Sequence, residues 1–115
     1  NNKKKIYNYY LNFVSKINGL SILKHPNYCI SNNWINLVKI NKNIYKKDIK
    51  LLINFFKKNQ IEVRPLWLLN HLQKPFRNCE KFQINNAQKM MSRILCLPSS
   101  ANLKKKQISK IVNLF

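Results

Sequence analysis

Ile6, Tyr9, Tyr10, Phe13, Val14 and Ile17 recur at i, i+3, i+4, i+7, i+8 and i+11. That spacing puts six apolar side chains on one face of a helix, which must be covered for the chain to fold. Asn18-Gly19 stops the helix. Two further stripes follow. Ile49, Leu52, Ile53 and Phe56 mark a helix over about 45–58, closed by Asn59-Gln60, and Ile108, Ile111, Val112 and Phe115 mark a final one. Ala87, Met90, Met91 and Ile94 mark a shorter helix over about 85–93, with both methionines expected in the core.

Between these helices lie short apolar runs of strand length. Leu20–Leu23, Trp34–Ile40, Ile61–Arg64 and Leu95–Leu97 read as strands. Pro65 cannot donate to a ladder, so the third strand ends there or lies on an edge. Pro98 stops the fourth, and His25-Pro26-Asn27 reads as a turn after the first. Residues 65–83 carry no clean period but hold four aromatic or imidazole rings and two prolines, which suits an ordered functional loop. The order α-β-β-α-β-loop-α-β-α predicts an α+β fold, a small and largely antiparallel sheet packed with helices. With 115 residues the chain has room for one domain, 1–115.

Charge is the oddest property. The chain carries 22 Lys+Arg against 3 Asp+Glu, a net +19. Such a charge attracts phosphate, so a basic nucleic-acid-binding module is an alternative reading. Two facts weigh against it. The 19 Asn, 19 Lys and 14 Ile are the residues of A+T-rich codons, and the lysines are spread along the whole chain. Only Lys3-Lys4-Lys5 and Lys104-Lys105-Lys106 form triplets, and the second sits unfavourably at the positive end of the last helix dipole.

Self-sufficient catalysis is not visible. The single glycine, Gly19, excludes a glycine-rich phosphate loop. Asp48, Glu62 and Glu80 do not pair, and neither histidine accompanies a recognisable nucleophile. Cys29, Cys79 and Cys96 are odd in number and widely spaced, so free thiols are expected, with no metal site or disulfide. No apolar run approaches the roughly 18 to 20 residues that span a bilayer, and the start Asn1-Asn2-Lys3-Lys4-Lys5 is unlike a signal peptide. A cytoplasmic location with no membrane partner is therefore expected.

The informative stretch is Glu62 to Phe76. Arg64, at a strand end, is either a bidentate grip for a carboxylate or phosphate or a plain surface arginine. Trp67 either leans on a ligand ring or packs. His71 either bonds a polar ligand or is structural. Gln73 alone decides nothing.

Val63-Arg64-Pro65-Leu66-Trp67, then His71-Leu72-Gln73-Lys74-Pro75-Phe76, then Asn78-Cys79, resembles the C-terminal domain of the DegT/StrS-type sugar aminotransferases. Asn32-Asn33-Trp34 upstream is similar too, as are Ala87, Leu95-Cys96-Leu97-Pro98-Ser99-Ser100 and Leu103 downstream. The wording Asn70 to Pro75 looks closest to members acting on UDP-linked precursors of bacillosamine or legionaminic-acid type.

The resemblance implies a pyridoxal-phosphate enzyme that aminates a nucleotide-linked keto-sugar for surface polysaccharide or glycan synthesis. It implies that the large domain, with the Schiff-base lysine, is absent here, so the chain alone is expected to be inactive. A split subunit and an eroded remnant both fit that picture. The expected partners are that large domain, a homodimer mate and the nucleotide-sugar. Arg64, Trp67 and His71 are the expected substrate-binding residues, with no catalytic, cofactor-binding or metal-binding residue in this chain. The first helix is expected to leave part of its stripe for the missing domain. Two departures stand out. Lys104-Lys105-Lys106-Gln107 replaces the family's acidic helix start, and Arg93-Ile94 replaces a glycine.

Overall fold

The computed structural model describes residues 2–115. Helix α1 (Asn2–Val14) leads into strand β1 (Leu20–Ile22), which pairs antiparallel with β2 (Asn36–Ile40). Helix α2 (Ile49–Lys58) returns to β3 (Arg64–Pro65). Two 3-10 turns, Asn70–Leu72 and Lys74–Phe76, and the short α3 (Asn85–Met91) carry the chain to β4 (Ile94–Leu97) and α4 (Lys105–Val112). The sheet order is β1-β2-β4-β3, antiparallel throughout, so the fold is α+β as its pattern of periods predicts.

The three strong stripes build the core. Ile6, Tyr10 and Val14 of α1 are buried, as are Leu52 and Phe56 of α2 and Ile108, Ile111 and Val112 of α4. They pack with Val38, Ile40, Leu95 and Leu97 of the two central strands. All four residues of β4 are buried, as a strand flanked on both sides requires.

The α1 stripe is partly covered within this domain: Ile6, Tyr10 and Val14 are buried, and Tyr9, Phe13 and Ile17 are half-buried. Helix α1 packs against α4 and β1 and contributes none of the exposed large hydrophobic residues. The half-buried Tyr9, Phe13 and Ile17 are the part of the stripe left for the expected further domain. Most exposed large apolar side chains come from loops, among them Tyr28, Ile30, Trp34, Trp67, Leu68, Phe76 and Phe82, and two, Leu51 and Phe55, come from α2.

Several boundaries move for local reasons. Helix α2 starts at Ile49 rather than Tyr45, because Asp48 caps it by accepting from Lys50 N at 2.7 Å. Residues 41–45 instead make a turn in which Asn41 O accepts from Ile44 N and Tyr45 N. Gly19 lies against that turn at φ +83°, where a Cβ would stand 2.9 Å from Tyr45 N. The third strand is Arg64–Pro65 rather than Ile61–Arg64, because Ile61 N still bonds Phe56 O at the end of α2. It lies on the edge, where Pro65 can be accommodated. Met90 and Met91 are only half-buried, and α3 buries no residue, which corrects the core reading of that stripe. At the start of α4, Lys104 has no side-chain acceptor for a cap. Gln107 Oε1 compensates by accepting from Lys104 N at 2.8 Å.

Tyr10 is fully buried, and its hydroxyl donates to Pro98 O at 2.9 Å. Burial disfavours the phenolate and holds its pKa far above the ordinary 10.0. The stability tied to neutral Tyr10 is present below about pH 10 and is lost as pH rises beyond it. An alkaline titration followed by far-UV circular dichroism should therefore show unfolding that starts near that pH. In Tyr10→Phe this transition should move to higher pH. An identical alkaline midpoint in the two proteins would refute the assignment.

Candidate functional site

Strand β3 and the end of β4 frame a groove of about 1050 Å³. Its wall includes Arg64 and Trp67, its floor Cys96 to Ser100, and its far side Gln107 and Lys110 of α4. Trp34 reaches the groove from the loop before β2. An Asx turn places it there: Asn32 Oδ1 accepts from Trp34 N at 3.1 Å, and Asn33 takes φ 51°. This turn also ends the expected strand early, so β2 begins at Asn36 and not at Trp34.

Trp34 and Trp67 stack, with ring centroids 5.6 Å apart and planes 15° apart. Both are 59% exposed, and they are the chain's two tryptophans. Stacked aromatic pairs contribute about 0.5–1.5 kcal/mol beyond their burial. Two coupled indoles give strong near-UV dichroism. Replacing either with Leu should remove most of that signal while the thermal midpoint shifts by only a few degrees, about 4–8 °C per kcal/mol for a domain of this size. A spectrum unchanged in Trp34→Leu would contradict the stack.

Arg64 sits on the sheet edge with its guanidinium in solvent. Its Nε donates to Glu62 Oε1 at 2.8 Å and its Nη2 lies 2.7 Å from the same oxygen. The two side chains are 74% and 73% exposed, so the pair contributes at most about 1 kcal/mol. A ligand carboxylate or phosphate can therefore replace Glu62 at little cost. Opposite Arg64 in the ladder is Cys96. Burial pushes the Cys96 thiol up, partly opposed by the Arg64 charge, and its Sγ lies 3.6 Å from Pro65 O. That environment disfavours the thiolate and leaves Cys96 a packing residue.

Ser99 is a structural member of the floor. Its Oγ accepts from Asn36 N at 3.0 Å and Asn36 Nδ2 at 2.9 Å, and donates to Leu97 O at 3.0 Å. Its carbonyl also accepts from Lys3 Nζ. These bonds tie the Leu97-Pro98-Ser99 segment to the head of β2.

Of the three residues expected to bind substrate, the structure brings Arg64 and Trp67 together in the groove. His71 stands apart. It is half-buried in the first 3-10 turn, with Nε2 3.2 Å from Gln88 Nε2 of α3, and it does not line the groove. Gln73 closes the same loop on itself, donating from Nε2 to Leu68 O at 2.9 Å. Trp34 and Lys110 are groove residues that the strand and helix patterns passed over. The Asn32-Asn33 pair was the available signal for Trp34.

The family model of the DegT/DnrJ/EryC1/StrS aminotransferases matches residues 1–115. The chain belongs to this aminotransferase family. Solved structures share its fold at low identity. DesI, solved with its TDP-sugar product, superposes with a TM-score of 0.85 at 16% identity, over 97% of this chain and 29% of DesI. Helicobacter pylori PseC, an aminotransferase of pseudoaminic acid biosynthesis, gives a TM-score of 0.79 at 14% identity, over 98% of this chain and 30% of PseC. A Streptococcus pneumoniae protein solved in its PLP-form gives 0.77 at 16% identity, over 97% of this chain and 29% of its own. This aminotransferase-family chain thus spans less than a third of the length of these proteins.

Pyridoxal phosphate needs a lysine for its aldehyde, a carboxylate for its ring nitrogen and a cup of donors for its phosphate. The groove does not fit that set. Lys110 is exposed at its rim, Glu62 is engaged with Arg64, and Gly19 lies in a different turn. The groove presents one guanidinium, one ammonium and a flat aromatic surface. Among the described residues no His/Cys/Asp/Glu cluster could hold a metal, and no helix is long and apolar enough to cross a membrane.

Proposed function

We propose that this chain is the C-terminal small domain of a pyridoxal-phosphate-dependent aminotransferase acting on a nucleotide-linked keto-sugar. The observation that carries the proposal is the groove, in which Arg64 stands beside the stacked Trp34 and Trp67 on a fold of this family. An anionic group of the nucleotide-sugar displaces Glu62 from the Arg64 guanidinium, and the indoles offer a flat apolar face to a ring. His71 serves the site by holding the 66–84 loop against α3 through Gln88. The large domain supplies the Schiff-base lysine and the cofactor pocket, and a homodimer mate completes the active site. The aminated sugar feeds cytoplasmic synthesis of a surface polysaccharide or other glycan. Alone, the 115 residues do not transaminate.

Sequencing the coding DNA upstream of Asn1 tests this reading. A lysine-bearing large domain, in frame or adjacent, is the expected finding. Its absence would leave an inactive remnant in place of an enzyme part.

A further inference from the structure

Helix α2 presents two faces of different character. Ile49, Leu52 and Phe56 turn inward and are buried. Along the opposite side run Leu51, Phe55 and Lys58, at i, i+4 and i+7, and Lys47 reaches this side from the segment before the helix. Leu51 is 67% exposed and Phe55 44%, two large apolar side chains open to solvent one helical turn apart. Exposed Lys50 and Lys57 flank them. Lys47 Nζ lies 6.0 Å from the Phe55 ring centroid and 5.6 Å from that of Tyr45, and donates to Phe115 O at 2.6 Å. The acid next to this face is Asp48, whose Oδ1 is engaged by Lys50 N as the helix cap.

We infer that the outer face of α2 is a docking surface for an anionic lipid bilayer. The charge pattern selects this occupant. The same face of a second copy would set its own lysines against Lys47, Lys50, Lys57 and Lys58. A nucleic acid would engage the lysines but leave Leu51 and Phe55 in water. A bilayer surface satisfies both: the apolar side chains enter the headgroup boundary, while the lysine stems lie along it and their ammonium groups reach phosphate. The helix lies parallel to the surface. This inference is independent of the proposed enzymatic role, and it departs from the expectation of no membrane partner, which rested on the lack of a membrane-spanning run.

Co-sedimentation of the chain with vesicles tests it, using phosphatidylcholine mixed with phosphatidylglycerol and phosphatidylcholine alone. Binding to the mixed vesicles only is expected. Phe55→Ser and Leu51→Ser should each weaken it by about fivefold or more. Lys47→Gln and Lys58→Gln should each weaken it by about fivefold. Phe55 and Leu51 are exposed, so both Ser variants should keep the wild-type circular dichroism spectrum. No binding to mixed vesicles would overturn the inference. So would binding that both Ser variants retain in full, since that is the response of diffuse charge and not of this face.

Discussion

Phe56→Ala should cost about 3–5 kcal/mol of folding stability, a large part of the roughly 5–15 kcal/mol that holds a domain together. Phe56 is fully buried, and its ring meets Phe115 edge-on at 5.0 Å and 64°. It belongs to the cluster that joins α2 to the sheet and to α4. No neighbouring backbone can collapse into the space it would leave, because β4 is flanked on both sides and α4 is fixed by Ile108, Ile111 and Val112. Urea denaturation should show a much lower midpoint with an unchanged slope. The neighbouring Phe55 supplies the contrast. It is half-exposed, and Phe55→Ala should change stability by less than about 1 kcal/mol. Equal losses at the two positions would contradict the placement of α2.

Arg64→Ala in the complete enzyme should raise KM for the nucleotide-sugar about 10- to 100-fold, the loss of one charge-assisted hydrogen-bonded contact. The fold should be indifferent to the change, because the Arg64–Glu62 pair is exposed on an edge strand. Arg64→Lys should recover only part of the affinity, since an ammonium cannot reproduce the planar fork. Steady-state kinetics that separate KM for sugar from KM for amino donor make the check. If KM and kcat for the sugar are both unchanged in Arg64→Ala, the anchoring role is wrong.

The helices were legible because their apolar residues repeat with the helical period and the core uses those positions: Ile6, Tyr10 and Val14; Leu52 and Phe56; Ile108, Ile111 and Val112. Strand β4 was legible as an apolar run stopped by Pro98. The order β1-β2-β4-β3 was not, because it depends on pairing β4 with strands 30 and more residues earlier in the chain, which leaves no local mark. Helix α3 misled because Met90 and Met91 keep the period without facing the core.

The site divides in the same way. Arg64 and Trp67 stood out through their likeness to a family motif, and the groove holds both. Trp34 was hidden by its β propensity, although Asn32 and Asn33 carried the turn chemistry that frees it from the sheet. His71 shares a motif with Arg64 in sequence, but the 3-10 turn Asn70–Leu72 sets it against Gln88 and out of the groove.

On the proposed reading, this domain supplies a wall for the substrate and no cofactor chemistry of its own. The direct measurement is amino transfer from an amino-acid donor to a nucleotide-linked keto-sugar in the presence of pyridoxal phosphate, run across a panel of donors and sugars. It should be made with the 115-residue chain alone and with the chain joined to its lysine-bearing large domain. The account predicts no product from the chain alone and aminated sugar from the joined protein. Turnover by the chain alone, or a joined protein that binds the cofactor yet leaves the sugar unaminated, would contradict it.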